Sequence, residues 1–210
     1  MNQIKTLLKD WNTIPNWLSY IRIALIPVFA VLFYNDKEII ALIVLVVSGS
    51  TDFFDGKLAR KLNQVSDLGK LLDPVADKLT QITLSIVFYL EFRNSTVELI
   101  NTFSWVFLIF VIKELVMVVF GGLLVVVGVR PVAAEIVGKT ATMVFYLVMI
   151  FIVMFAPDVG VLAEDVWTIP EKPLLALVVI SAFITVLAFF SYLPSTFRQV
   201  ADKIKESKSK

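Results

Sequence analysis

The chain contains no cysteine and no histidine. The first absence excludes disulfides, thiolate nucleophiles and thiolate metal sites. The second removes the side chain that most often moves protons near neutral pH. A general acid or base here is therefore a carboxylate, a lysine or a tyrosine. A bound metal would sit among oxygen ligands, which favours hard cations such as Mg²⁺ or Mn²⁺. An excess of charge is missing as well: 19 basic residues against 18 acidic ones leave a net +1, with no basic surplus to attract nucleic acid.

Apolar residues are in excess. They make up 58% of 210 residues, and the mean hydropathy is +0.85. They fall in blocks, several longer than the roughly 18 mostly apolar residues that mark a membrane-crossing helix. The expected fold is an all-α polytopic membrane protein, a single domain over residues 1–210 with six transmembrane helices. The spans run from Trp17 to Tyr34, Ile39 to Gly56, Leu71 to Phe92, Phe103 to Val127, Val132 to Phe155 and Leu174 to Leu193. The first span follows a polar segment with no small-residue cleavage site, so it reads as a retained helix. In that segment Ile4, Leu7, Leu8 and Trp11 form a helical stripe with Lys5 and Lys9 off it. This predicts a short interfacial amphipathic helix over about residues 2–13.

Charge orients the spans. With the N-terminus inside, the outer loops hold only Lys37, Arg93 and Lys172 among the basic residues. The inner side holds Lys57, Arg60, Lys61, Lys70, Arg130, Lys139, Arg198 and the lysine-rich tail. The positive-inside bias puts both termini in the cytoplasm of a multi-pass protein in the cell membrane.

One inner stretch, "TDFFDGKLARKLNQVSDLGKLLDPVADK" from Thr51 to Lys78, is out of keeping with its apolar flanks. Asp52 and Asp55 stand three apart at the end of the second span. Asp73 and Asp77 stand four apart at the start of the third. Both spacings bring side chains onto one face of a helix, and the turn between the spans lets the two faces meet. Four carboxylates at the membrane edge repel one another and are poorly solvated. One or two divalent ions would resolve the conflict and suit a phosphate-bearing substrate. The plainer reading is a set of solvated helix ends paired with the nearby lysines and arginines.

The same stretch resembles the signature of the CDP-alcohol phosphatidyltransferase family, D-x2-D-G-x2-A-R-x8-G-x3-D-x3-D. Asp52, Asp55, Gly56, Ala59, Arg60, Gly69, Asp73 and Asp77 meet every fixed position. "IPNWLSYIRIALIP" is similar to the family's first span, where Asn16, Ser19 and Arg22 face the site. The resemblance implies attack by an alcohol hydroxyl on the β-phosphate of a CDP-linked lipid, with CMP leaving. It implies two Mg²⁺ or Mn²⁺ ions held by Asp52, Asp55, Asp73 and Asp77, with Asp73 and Asp77 in the catalytic set and Asp77 as the base. Asp52, Gly56, Lys57, Ala59, Arg60, Gly69, Asn16 and Ser19 then bind CDP-diacylglycerol, Gly69 letting the loop pass close to the cytidine. A homodimer is implied as well. The wording is most similar to the branch whose acceptor is glycerol 3-phosphate. The branch that uses phosphatidylglycerol, the cardiolipin synthases, shares "LDPVADK"-like wording.

Three further cations bear on the acceptor. Arg130 and Lys139 flank the fifth span on the inner side, either as ligands of the acceptor phosphate or as ordinary positive-inside residues. Lys113, beside Glu114 in mid-membrane, joins them as an acceptor-phosphate candidate, or else forms an ion pair with its neighbour. A divalent metal or ion transporter is the alternative of a different class. Transporters more often place carboxylates near the midplane on broken helices. The topology has a direct test, because the chain has no cysteine of its own: a cysteine at Ser207 should be labelled only from the cytoplasm and one at Asp158 only from outside. Labelling of both from one side would break the six-span reading.

Overall fold

The computed structural model describes residues 11–62, 64, 66–126, 136–163 and 165–208. Within that range the side chains of residues 52–60, 67, 70, 71, 125, 126, 136, 202, 204 and 206–208 are not described. The described residues form helices and no strands. The helices are α1 (Ile14–Tyr34), α2 (Glu38–Lys61), α3 (Asp67–Asn94), α4 (Glu98–Phe103), α5 (Val106–Val126), α6 (Ile136–Phe155) and α7 (Glu171–Lys208). Four are long and apolar enough to cross a membrane, over Ile14–Tyr34, Glu98–Leu124, Val137–Phe155 and Glu171–Ala201. Glu38–Thr51 is a shorter apolar helix, and α3 carries Asp73, Asp77 and Lys78 in its first half. This is an all-α polytopic membrane protein.

Several boundaries differ from the sequence reading. The second helix runs past Gly56 to Lys61, and the third starts at Asp67 rather than Leu71. The expected loop of Lys57 to Lys70 therefore shrinks to residues 62–66, and Gly69 lies in the first turn of α3. The last helix continues from the expected end at Leu193 to Lys208, through Pro194. At the ends of α2 and α7 the helix continues past the apolar run through lysine, arginine, glutamate and alanine, residues that favour helix. Most of the expected interfacial helix, residues 1–10, lies outside the described residues, and Trp11–Thr13 are not helical.

Contacts group the chain into two compact units, residues 1–87 and 88–210. In the first unit α1 packs on α2. Thr13 caps α1 with extended backbone, its side chain accepting from the Asn16 N–H, and Pro15 sits in the first turn, where no intrahelical N–H is required. The buried side of α1 then reads Asn16, Ser19, Arg22, Ile26, Phe29 and Phe33, a helical period that is polar in its first turns and apolar beyond them. Ala41 and Leu45 of α2 and Ala76 and Leu84 of α3 complete this unit's core.

In the second unit α7 packs on α4, α5 and α6. Aromatic rings build its core: Phe92 meets Phe107 edge-on at 4.9 Å, and Phe110 meets Phe145 at 5.0 Å. A Cβ on Gly138 would stand 1.8 Å from the Tyr192 hydroxyl, so α6 and α7 cross this closely only because that residue is glycine. Beyond α6 the chain folds back on the helix end. Val161, Leu162 and Ile169 donate backbone N–H groups to the carbonyls of Val153, Met154 and Phe155, satisfying acceptors that the helix leaves open. Asp158, at φ 63°, anchors the turn. Its Oδ2 accepts from Ser95 Oγ at 2.8 Å, Thr96 N at 3.1 Å and Thr96 Oγ1 at 2.9 Å.

Partial burial alone would raise the Asp158 carboxyl, but the bonds from Ser95 and Thr96 outweigh it and hold the group below the ordinary aspartate value. A lowered native pKa stabilises above the unfolded value and is lost as pH falls through the native one. Asp158→Asn keeps one acceptor oxygen and tolerates the left-handed backbone. It should lower the melting temperature by about 1–3 °C at neutral pH, and the gap should close as pH falls below about 4. Thermal unfolding in detergent across that range checks it; a gap independent of pH would contradict the charge as its cause.

Candidate active site

The N-terminal turns of α1 and α3 are joined by polar side chains. Ser19 Oγ on α1 donates to Asp73 Oδ1 on α3 at 2.7 Å. Asn16, one turn earlier, is fully buried. Its Oδ1 accepts from Ser66 Oγ at 2.8 Å, and its Nδ2 donates to the Trp11 carbonyl at 3.3 Å. Ser66 in turn accepts the Gly69 N–H at 2.9 Å, the N-cap bond of a helix that starts at Asp67. Gln64 Oε1 accepts the Ile14 N–H at 3.3 Å. The short connection between α2 and α3 is thereby pinned to the start of α1, and α3 leaves it in a fixed register.

Gly69 has a steric role here. A Cβ at this position would lie 2.7 Å from Asn16 Oδ1 and 3.0 Å from Ser66 Oγ. Asn16 is buried and bonded on both sides of its amide, so it cannot swing away. The described surroundings of Gly69 are thus Asn16 and Ser66, the residues that fix the helix start. From that start Asp73 and Asp77 follow on α3, four residues apart and both half-buried. Ser19 occupies Oδ1 of Asp73, while Oδ2 takes no hydrogen bond among the described residues. An oriented carboxylate with an oxygen to spare, on a site with no thiol or imidazole, suits a hard divalent cation.

Asp52, Asp55, Gly56, Lys57, Ala59 and Arg60 lie on the last turns of α2, and their side chains are outside the described residues. Arg130 is outside them altogether. Among the described residues no group of three or more metal-binding side chains occurs; Asp73 and Asp77 are the two signature carboxylates that are described. Lys139 is exposed in the first turn of α6. Lys113 forms the expected pair with its neighbour: its Nζ donates to Glu114 Oε1, and Glu114 is buried. Adjacent helical residues point in different directions, but the lysine is long enough to curl back to its neighbour.

A family model described as CDP-alcohol phosphatidyltransferase matches residues 12–187. The chain belongs to this family. It is 38% identical to "Cardiolipin synthase (CMP-forming)" of Streptomyces coelicolor, over 70% of this chain and 66% of that one. It is 50% identical over 80 residues to "Putative cardiolipin synthase" of Mycobacterium tuberculosis, 38% of each chain. It is 32% identical to "CDP-diacylglycerol--glycerol-3-phosphate 3-phosphatidyltransferase" of Rickettsia bellii, over 86% of this chain and 93% of that one. The match thus spans just under two thirds of the Streptomyces protein, little more than a third of the mycobacterial one and nearly all of the rickettsial one.

Membership in the CDP-alcohol phosphatidyltransferases gives the geometry its context. The eight signature positions run from Asp52 on α2 to Asp77 on α3, inside the matched region. Ser66, Gln64 and the Trp11 carbonyl, which do the positioning, were not singled out by sequence reasoning. The Ser-x-x-Gly at Ser66–Gly69 carries a helix-start signal, but Asn16 and Gln64 act across fifty residues and leave no local trace. Two substitutions test this arrangement. Gly69→Ala should lower the melting temperature by about 2–6 °C through overpacking against Asn16. Ser19→Ala should leave stability within about 1 °C and raise the divalent-ion concentration needed for half-maximal activity several-fold. An unchanged ion requirement in Ser19→Ala would show that the Ser19–Asp73 bond does not orient the carboxylate for its role.

Proposed function

We propose that this chain transfers a phosphatidyl group from CDP-diacylglycerol to glycerol 3-phosphate, releasing CMP and forming phosphatidylglycerophosphate. The observation that carries the reading is the family signature ending in Asp73 and Asp77, with Asp73 oriented by a buried serine. The acceptor rests on the rickettsial relative, which is matched over 93% of its length.

Asp52, Asp55, Asp73 and Asp77 would hold two Mg²⁺ or Mn²⁺ ions. When bound, such ions neutralise pyrophosphate charge and lower the barrier to its displacement. The chain's own residues do the rest. Asn16, Ser19, Gly56, Ala59 and Gly69 shape the nucleotide side, with small residues where a base or ribose lies against backbone. Lys57 and Arg60 meet phosphate oxygens, arginine by its forked donors. The acceptor hydroxyl oxygen bonds to the β-phosphorus as the bond to the CMP oxygen breaks. Asp77 takes the hydroxyl proton; in a chain without histidine a carboxylate crowded by others is the available base. Lys139 and Arg130 grip the acceptor's phosphate from the cytoplasm. The basic bias of the inner loops supports six crossings with the site on that side. The family resemblance supports a homodimer.

A second reading has its own observation, the 38% identity to a cardiolipin synthase. Its acceptor, phosphatidylglycerol, would arrive sideways from lipid with a single charge. The two readings part in a CMP-release assay. With CDP-diacylglycerol and Mg²⁺ or Mn²⁺, we expect turnover with glycerol 3-phosphate, none with a chelator, and a loss of at least about 100-fold in Asp77→Asn. Lys139→Ala and Arg130→Ala should each raise KM for glycerol 3-phosphate about ten- to a hundredfold and leave KM for CDP-diacylglycerol nearly unchanged. Consumption of phosphatidylglycerol with glycerol 3-phosphate ignored would replace the first reading by the second.

A further inference from the structure

Asp73 and Asp77 are followed at the same spacing by Gln81. Positions four apart drift by only about 40° around a helix, so the three lie along one side of α3, with Gln81 about 6 Å beyond Asp77 along the axis. Gln81 is 4% exposed, and its Nε2 has no hydrogen-bond partner among the described residues. The hydroxyls around it are satisfied on their own helix. Thr80 Oγ1 donates to the Ala76 carbonyl at 2.8 Å, and Ser85 Oγ to the Gln81 carbonyl at 2.7 Å. A carboxamide donor buried without an acceptor costs as much as a lost hydrogen bond, and a methionine of similar volume at this position would cost nothing of the kind.

We infer that the Gln81 side-chain amide is a lipid-recognition group: its Nε2 donates to an ester carbonyl oxygen in the diacylglycerol part of the lipid donor. The inference rests on the transfer reaction proposed above. In that reaction the pyrophosphate belongs at Asp73 and Asp77. From the β-phosphorus, the glycerol carbons lead to the nearer ester carbonyl over a distance on the order of 6 Å at ordinary bond lengths. That matches the step from Asp77 to Gln81. In the six-span reading the direction matches too: the later turns of α3 would lie deeper than Asp73 and Asp77, as acyl esters lie deeper than phosphates. An ester carbonyl accepts and cannot donate, and the Gln81 amide nitrogen donates and lacks an acceptor. Each supplies what the other needs where water is scarce.

The test compares CDP-dioleoylglycerol with its ether-linked CDP-dialkylglycerol counterpart, which lacks both carbonyls, using the purified full-length chain in detergent with Mg²⁺. Glycerol 3-phosphate is the acceptor, so that no ester enters from the acceptor side. Equilibrium binding of each donor is measured alongside CMP release. Wild type should favour the ester donor by about five- to tenfold in KM and in affinity. In Gln81→Met the preference should fall to near one, through weaker use of the ester donor alone, with the melting temperature unchanged or raised. Gln81→Leu is read in the same way. An ester-to-ether ratio that is the same in wild type and variants overturns the inference, whether or not CMP is released. If wild type releases no CMP from either donor, the transfer reading fails. The binding ratio still decides Gln81: an ester preference lost in Gln81→Met upholds it, and equal binding overturns it.

Discussion

The hydrogen bond from Ser19 to Asp73 is the contact on which the polar end of the first unit turns. A carboxylate at the edge of an apolar bundle cannot rely on water to hold it, and left alone it would swing to the nearest cation. Here a hydroxyl on α1 fixes one oxygen. That hydroxyl can do so only because the neighbouring groups keep both helices in register. Thr13 and Pro15 set where α1 begins, and Ser66 sets where α3 begins. Asn16 ties the two starts together from a fully buried position, and Gly69 gives it room. Apart from Pro15 and Gly69, small polar side chains perform these tasks, each bonded to a partner within the unit. This is how a membrane bundle carries polar groups at low cost.

Legibility in the sequence followed the range of each interaction. The placement of the aspartates was legible because they stand at helical spacing, and α2 and α3 are helical where they carry them. The apolar blocks were legible as helices for the same local reason. Helix ends were less so. An apolar run marks the thickness of lipid, whereas the helix stops where capping or propensity stops it, at Lys61 for α2 and Lys208 for α7. The positioning network was illegible, since a buried asparagine that reaches Ser66 looks in sequence like any turn-former near a proline. For Lys113 the sequence left two readings open, an acceptor ligand or an ion pair with its neighbour, and the pair with Glu114 is present in the structure.

The relatives carry names with different acceptors, one a cardiolipin synthase and one a glycerol-3-phosphate phosphatidyltransferase. In the reaction proposed above, Asp73 stands with the lipid donor, Lys139 and Arg130 meet the acceptor, and Asp77 serves both by taking the acceptor's proton. The Asp158 clasp lies in the connection between α6 and α7 of the second unit and belongs to neither; it holds a loop by closing open backbone and hydroxyl donors on one carboxylate oxygen.

The central claim is that the signature aspartates form a two-ion site oriented by Ser19. Manganese binding followed by electron paramagnetic resonance tests it without any assumption about the acceptor. The account predicts two Mn²⁺ per chain in the presence of CDP-diacylglycerol, spin-coupled to one another as ions sharing carboxylates are, and loss of the coupled signal in Asp73→Asn. A wild-type protein that binds no Mn²⁺, or a coupled pair that survives Asp73→Asn unchanged, would contradict it.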